Sequence, residues 1–494
     1  MEKIIIMIMI MTTSSSVFSG DLSGESLFTR CFMHLTQRFP DKNNTRYKAV
    51  LASESKIQEA INQCKAMIDG VNVSGETLVD ANEEKLDLIE TFQNLHYSWF
   101  KQRQYVEIGN VFVRNMRNIY SPSSPALYFT RALLSDQISY HDIYLGDITI
   151  RAKRTLGPPE KSHQHFNSNQ NNRTRNAVDD LLSPLEYDEV GRLKGFKIVP
   201  KDTTYVLQST PGYLKRYDSM SINEHSGGGF VGSQSYMMLN LMGNTFNYKP
   251  DGGVTTSRVW SRNFFSDVLC RDLPAVRDSD AVKFVNTQSS LTYRQTTSCT
   301  KCHASTDTLA GLVRGQTYIT SGSHIEPKGT YAFVHKRSPS IEIDDHLSDD
   351  NSPGYFPTEP DSNYYKREPK GLFYYRQYNG NLVSEELTSQ NSGLDPLMTK
   401  VLSLDDPYIC TAQRYFKYFT GISAEISDIG DPSNQLYPVL SANQALYRDY
   451  VINLGKELKT ESENTATKGS AMKHLIKKII ESELYRKTDF GLSK

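Results

Sequence analysis

Cys299-Thr300-Lys301-Cys302-His303 places two thiols three positions apart, with an imidazole directly after the second. Few strings constrain a chain more tightly. With six Cys and eleven His among 494 residues, random placement gives roughly 0.002 such strings per chain. The order suits covalent attachment of a c-type haem, because each thiol adds across one vinyl group of a porphyrin while the next imidazole turns beneath the iron. Cys299 and Cys302 are the expected thioether anchors, His303 is the expected iron ligand, and haem c is the implied cofactor. Rival chemistries need more than this string. A thiol redox pair calls for a βαβ neighbourhood with the motif opening a helix, and structural zinc calls for a second pair of ligands. The chain has no second C-x-x-C and no H-x-x-x-H.

Haem reaches such motifs only after export, so the N-terminus is an independent check. Met1 to Lys3 give a charged start, Ile4 to Met11 an unbroken apolar run, and Val17-Phe18-Ser19 a small-x-small step. This predicts a signal peptide over 1–19, with an apolar run too short to span a bilayer. The mature protein is then expected to be periplasmic or on the outer surface, without a transmembrane anchor. Phe28-Thr29-Arg30 before Cys31 does not suit a lipid-attachment box. The balance of 55 basic and 56 acidic residues gives no long-range field to attract nucleic acid or a membrane surface. The partner expected is an envelope redox protein.

Four further cysteines, Cys31, Cys64, Cys270 and Cys410, invite two disulfides in an oxidising compartment. Leu27, Phe28, Cys31, Phe32 and Leu35 form one helical stripe, and Ile57, Ala60, Ile61, Cys64 and Ile68 form another, capped by Ser53 and closed by Gly70. Both cysteines sit on core faces of a predicted helical hairpin, which favours Cys31–Cys64 and leaves Cys270–Cys410. Four buried free thiols are the other reading.

Periodicity predicts a mainly α, multi-module protein with small β-hairpins and long loops. A chain of 494 residues holds roughly three domains. The expected order is an N-terminal helical module over 20–110, a middle module over 111–225, the motif-bearing module over 226–340, an acidic linker over 341–370 and a C-terminal helical module over 371–494. Asn82 is expected to cap a helix to about Arg103, in which His96 and Trp99 share a face and read as core rather than ligand. Pro125 to Leu134 reads as helix and Tyr140 to Arg151 as extended. A polar loop over 157–176 holds His163 and His165, and Tyr187 to Leu207 reads as a hairpin. Gly227-Gly228-Gly229 lacks the rest of a phosphate loop and reads as a flexible linker before a helix at Ser233 to Met242. Arg258 and Arg262, on a helix to Cys270, read as surface arginines with haem propionates as the functional alternative. Ser441-x-x-Gln444 is a capping box, and Met472, Leu475, Ile476, Ile479, Ile480 and Leu484 make a wide apolar face.

The order Arg262, Leu269-Cys270-Arg271-Asp272-Leu273-Pro274, Tyr293-Arg294, the C-x-x-C-H string and Asp307-x-Leu309-Ala310 resembles the central module of the large planctomycete-type cytochromes c. Those proteins surround one haem motif with three consecutive domains of unknown function. Cys31-Phe32-x-x-Leu35-Thr36-x-Arg38-x-Pro40, and the C-terminal run through Asp406-Pro407 and Leu484-Tyr485-Arg486, are similar to the family's outer modules. The resemblance implies a monohaem c-type cytochrome. Two departures stand out: Asp307-Thr308-Leu309-Ala310-Gly311 replaces the usual Asp-Pro-Leu-Gly-Phe, and Tyr293 holds a place often taken by His.

The sixth iron ligand decides the chemistry, and the sequence offers His324, His335, an upstream Met among Met237, Met238 and Met242, the distant Met398, or an open position. A filled position implies one-electron transfer in the cell envelope; an open one implies a haem peroxidase or a gas or redox sensor. The remaining alternative is a non-haem envelope binding or scaffold protein in which Cys299 and Cys302 form a disulfide or metal clip. The eight acidic residues of 341–368 match no calcium-loop spacing.

Overall fold

The apolar stripe of the first helix meets the stripe of the third, and a disulfide crosses between them. The structure, a computed structural model, describes residues 20–79, 82–100, 116–117, 121–146, 148–153, 186, 188–189, 195–200, 204–208, 219–223, 226–240, 254–289, 292–314, 316–321, 330–336, 368–389, 393–431 and 440–488. The predicted signal peptide, the polar loop over 157–176 with His163 and His165, and nearly all of the acidic linker lie outside them. The fold is mainly α.

Helices α1 (Gly24–Thr36), α2 (Thr45–Ala52), α3 (Lys56–Asp69) and α4 (Glu83–Ser98) open the chain. Cys31 and Cys64 are both fully buried and joined, with Cα atoms 6.3 Å apart. Gly70 ends α3 at φ 71°, as expected. Ser53 does not cap α3. It closes α2, a helix whose one fully apolar buried residue, Val50, gives it no readable stripe, and Ser55 precedes α3 instead. The first and third helices are therefore not a simple hairpin. Asn82 caps α4 by accepting from Lys85 N, but α4 stops at Ser98, not near Arg103. Trp99 N and Phe100 N bond the carbonyls three residues back, which tightens the end of the helix.

Next come α5 (Ser124–Leu134) and the short α6 (Asp142–Leu145). The extended run expected from Tyr140 to Arg151 is thus only half extended. Asp142 accepts from Ser139 N and Ser139 Oγ at 2.7 and 2.9 Å, starting a turn before β2 (Ile148–Ala152). The two described strands within Tyr187 to Leu207, where a hairpin is expected, do not pair with each other. β3 (Phe196–Pro200) pairs antiparallel with β2, and β4 (Thr204–Gln208) pairs with β5 (Ser219–Asn223). The β2–β3 ladder ends at Pro200, which has no N–H to donate.

Gly227, Gly228 and Gly229 all take positive φ, but they are no flexible linker. A Cβ at Gly229 would fall 2.1 Å from the Ile143 carbonyl oxygen, so the triplet is a close-packed turn against α6. Ser233 caps α7 (Gln234–Leu239), which is buried throughout and ends before the expected Met242. Then follow α8 (Val254–Leu269), α9 (Asp278–Ala281) and α10 (Thr297–Ala310). β6 (Gln316–Ser321) and β7 (Thr330–Lys336) are antiparallel, with β1 (Met116–Arg117) parallel to β7. β8 (Lys370–Arg376) and β9 (Leu382–Thr388) make a hairpin whose turn carries Gly380 at φ 80°. The remaining helices are α11 (Asp395–Ser403), α12 (Asp406–Thr420), α13 (Ala442–Glu463), α14 (Ala471–Glu481) and α15 (Glu483–Arg486). The Ser441/Gln444 capping box forms at the start of α13, and the predicted apolar face of α14 is buried.

One apolar cluster runs from Leu27 to Tyr485 and takes residues from each of the four predicted modules. The two ends of the described chain meet, since Arg30 Nη1 donates to the carbonyls of Tyr485 and Lys487 at 2.8 Å. A second cluster of Val276, Ala281, Phe284, Ala304, Leu372 and Tyr374 lies beneath α10. Cys270 and Cys410 join α8 to α12, with Cα atoms 5.1 Å apart. Among the described residues no helix is long and apolar enough to cross a membrane.

Removing the two disulfides is expected to differ in cost. Sequence separations of 33 and 140 correspond to about 4 and about 5 kcal/mol of chain entropy. The Cys270→Ala/Cys410→Ala variant should melt below Cys31→Ala/Cys64→Ala in parallel thermal scans. The reverse order would show that local packing outweighs loop length.

Candidate functional site

Cys299, Cys302 and His303 lie at i, i+3 and i+4 of α10, and therefore on one helix face. Cys299 is exposed, Cys302 is half-buried, and both are free thiols. Thr300, on the opposite side, is buried and donates to the Thr296 carbonyl at 2.7 Å. Lys301 Nζ reaches Asp278 at 2.8 Å, tying the motif to α9.

His303 is held on two sides. Its Nδ1 lies 3.0 Å from Asp307 Oδ2, one turn further along α10, and the Asp307 side chain is only 1 % exposed. Arg258 on α8 meets both carboxylate oxygens of Asp307 at 2.7 Å. The Tyr293 ring stacks on the imidazole with centroids 4.0 Å apart and planes 25° apart. Tyr293 in turn accepts from Arg258 Nη2 at 2.8 Å, and the guanidinium lies 4.9 Å from the Tyr293 ring centre. Burial pushes the Tyr293 phenol well up, helped by the Asp307 carboxylate, so it stays neutral near neutrality. Burial also pushes the Cys302 thiol up.

These residues fit a covalently held haem. The two thiols are reachable and share a face, and Asp307 engages Nδ1, leaving Nε2 of His303 as the nitrogen for iron. The motif does open a helix, as a redox pair would, but among the described residues it follows α8 and α9 and not the strand that a βαβ neighbourhood places before such a helix. Among the described residues no group of three His, Cys, Asp or Glu could hold a metal ion by itself.

The other sequence candidates fall elsewhere. Met237, Met238 and Met398 are buried in the large cluster, whereas Ala304 and Tyr293 beside the motif belong to the small one. Met242, His324 and the side chain of His335 lie outside the described residues. Arg258 is not a free surface arginine; it is committed to Asp307 and Tyr293, while Arg262 one turn on is exposed. In the sequence Asp307 stands only as part of the string that resembles the family, with no role of its own. Its spacing of four from His303 on one helix is the signal that finds it.

His96 is core, as its place on an apolar face predicts. It is fully buried, with Nδ1 2.8 Å from Thr130 Oγ1 and Nε2 2.6 Å from Tyr415 Oη. Trp99 packs edge-on against it at 4.8 Å. No family model matches the chain, and no match was found among curated proteins or solved structures.

Burial, with Arg414 nearby, lowers the His96 pKa to about 3, and burial, with Arg30 nearby, lowers that of His34 to about 4, both from an ordinary 6.5. Above pH 6.5 neither state binds these protons. Below it the unfolded chain takes up protons that the fold refuses, so stability falls as pH falls from about 6.5 towards 4 and 3. Each proton contributes a slope of about 1.4 kcal/mol per pH unit. In urea titrations across that window, His96→Gln should flatten the slope by about one proton; an unchanged slope would sink this account.

Proposed function

We propose that the chain is an exported monohaem c-type cytochrome, acting in one-electron transfer or a haem-dependent redox reaction in the cell envelope. The observation that carries this is the motif's presentation: two free thiols and an imidazole on one accessible helix face, with Nδ1 already occupied. Cys299 and Cys302 are the anchors. Each S–H would add across one vinyl group, sulfur bonding one carbon and the proton going to its neighbour, with no electrons gained or lost. His303 would be the residue that binds the iron, and Asp307 keeps its ring from turning. Bound haem would supply the one-electron couple. The resemblance to the large planctomycete-type cytochromes c and the two disulfides, which suit an oxidising compartment, support the same reading.

A second reading, a peroxidase or gas sensor with an open sixth position, is favoured by one feature. Met237, Met238 and Met398 are buried in the large apolar core, to which Cys299, Cys302 and His303 do not belong.

Full-length protein expressed with cytochrome c maturation machinery is expected to give a c-type pyridine haemochrome and the added mass of one haem. Cys299→Ser/Cys302→Ser should abolish the adduct, and His303→Ala should keep it but alter the ferric spectrum. Colourless native protein with both thiols alkylatable would overturn the proposal. A high-spin ferric spectrum with ready cyanide and carbon monoxide binding would select the second reading; a low-spin one would select electron transfer.

A further inference from the structure

Asp307 has the environment of a charge placed for a purpose. Its side chain is 1 % exposed, and it sits beneath the one imidazole of the motif. A hydrogen bond from Nδ1–H to a carboxylate does two things to an imidazole. It fixes the tautomer that leaves Nε2 free, and it makes that nitrogen a more basic ligand. Arg258 then modulates the effect, because its guanidinium meets both carboxylate oxygens at 2.7 Å, including the Oδ2 that faces Nδ1. Tyr293, stacked at 4.0 Å, stops the ring from rotating away from the carboxylate.

Resting on the haem reading above, we propose that Asp307 is a positioning residue that fixes His303 as an Nδ1–H donor and makes it an electron-rich axial ligand, lowering the haem's reduction potential, with Arg258 as the opposing control. A more basic ligand stabilises ferric iron over ferrous. Removing the negative charge at Asp307 therefore raises the potential. Removing the positive charge at Arg258 frees the carboxylate to act fully on Nδ1–H and lowers it. Opposite signs from two contacting residues are not what loss of packing produces, since loosening the site would move both variants the same way.

Two measurements on the full chain test this. In haem-free protein with ¹⁵N-labelled histidine, at a pH about two units above the ordinary imidazole value, His303 should show a protonated Nδ1 and a bare Nε2. The His303→Gln variant assigns its signals among the eleven histidines. In haem-loaded protein, Asp307→Asn should shift the ferrous-to-ferric ratio at fixed potential about tenfold towards ferrous, or about 59 mV for one electron. Arg258→Gln should shift it towards ferric, and Asp307→Glu should restore part of the wild-type value. Thermal melts and a thiol count on each variant confirm that it folds with both disulfides. An Nε2–H tautomer in the wild type, or Asp307→Asn and Arg258→Gln shifts of the same sign or under twofold, would overturn the proposal. Wild-type protein that takes up no haem would overturn the preceding function and with it the claim about potential, and the tautomer would then decide only whether Asp307 positions His303.

Discussion

A carboxylate with almost none of its surface left in water cannot stand alone in a protein interior. Desolvating such an ion costs several kcal/mol, and removing one partner from a buried pair costs about 3–5 kcal/mol. Asp307 therefore obliges its surroundings to supply partners: Arg258 from α8, and His303 from its own helix. Meeting those demands fixes the register of α8 against α10. It also fixes the direction of the His303 ring, whose Nδ1 meets Oδ2 while its face lies against Tyr293.

Helix α8 carries that constraint into the rest of the molecule. Its inner face buries Trp260, Phe264, Phe265, Val268 and Leu269. Asp267 accepts from Tyr236 Oη at 2.8 Å, which locks α7 beside it, and Arg414 of α12 donates to the Ser266 carbonyl at 3.1 Å. At its end Cys270 is bonded to Cys410, and Arg271 pairs with the buried Asp406 at the start of α12. The helix that carries Arg258 to the motif is thus held in place by residues of the C-terminal helices.

What could be read in the sequence follows from the range of the interactions. The stripes of α1, α3 and α14 were legible because helical periodicity is local, and so were the Ser441/Gln444 box and the glycine closing α3. The motif itself was legible because its chemistry resides in spacing alone. The pairing of β3 with β2 was not, since nothing near Phe196 names a partner almost fifty residues away. The glycine triplet misled for the same reason: composition says flexible, and only the approach of the Ile143 carbonyl shows why no side chain fits. Arg258 looked like a surface residue because its partner is a helix turn in another part of the chain. Asp307 lay between these cases. The offset from His303 was on the page, but its burial was not.

The motif helix is held differently from the rest of the fold. Most of the described chain rests on one large apolar cluster, which α10 joins through Leu309 near its end, whereas Ala304 next to the motif packs into the small cluster beside a set of charged contacts. Arg376 grips Asp280 through two bonds of 2.5 and 2.7 Å, Arg277 grips Asp428 through two of 2.8 and 3.0 Å, and Lys301 reaches Asp278. Partly exposed pairs contribute little stability one by one, but the planar fork of arginine gives direction that apolar contact does not. An apolar cover over the first turn of α10 would stabilise it more and would also hide the thiols. Charged contacts set along the flanks hold that turn in place and leave Cys299 open to solvent.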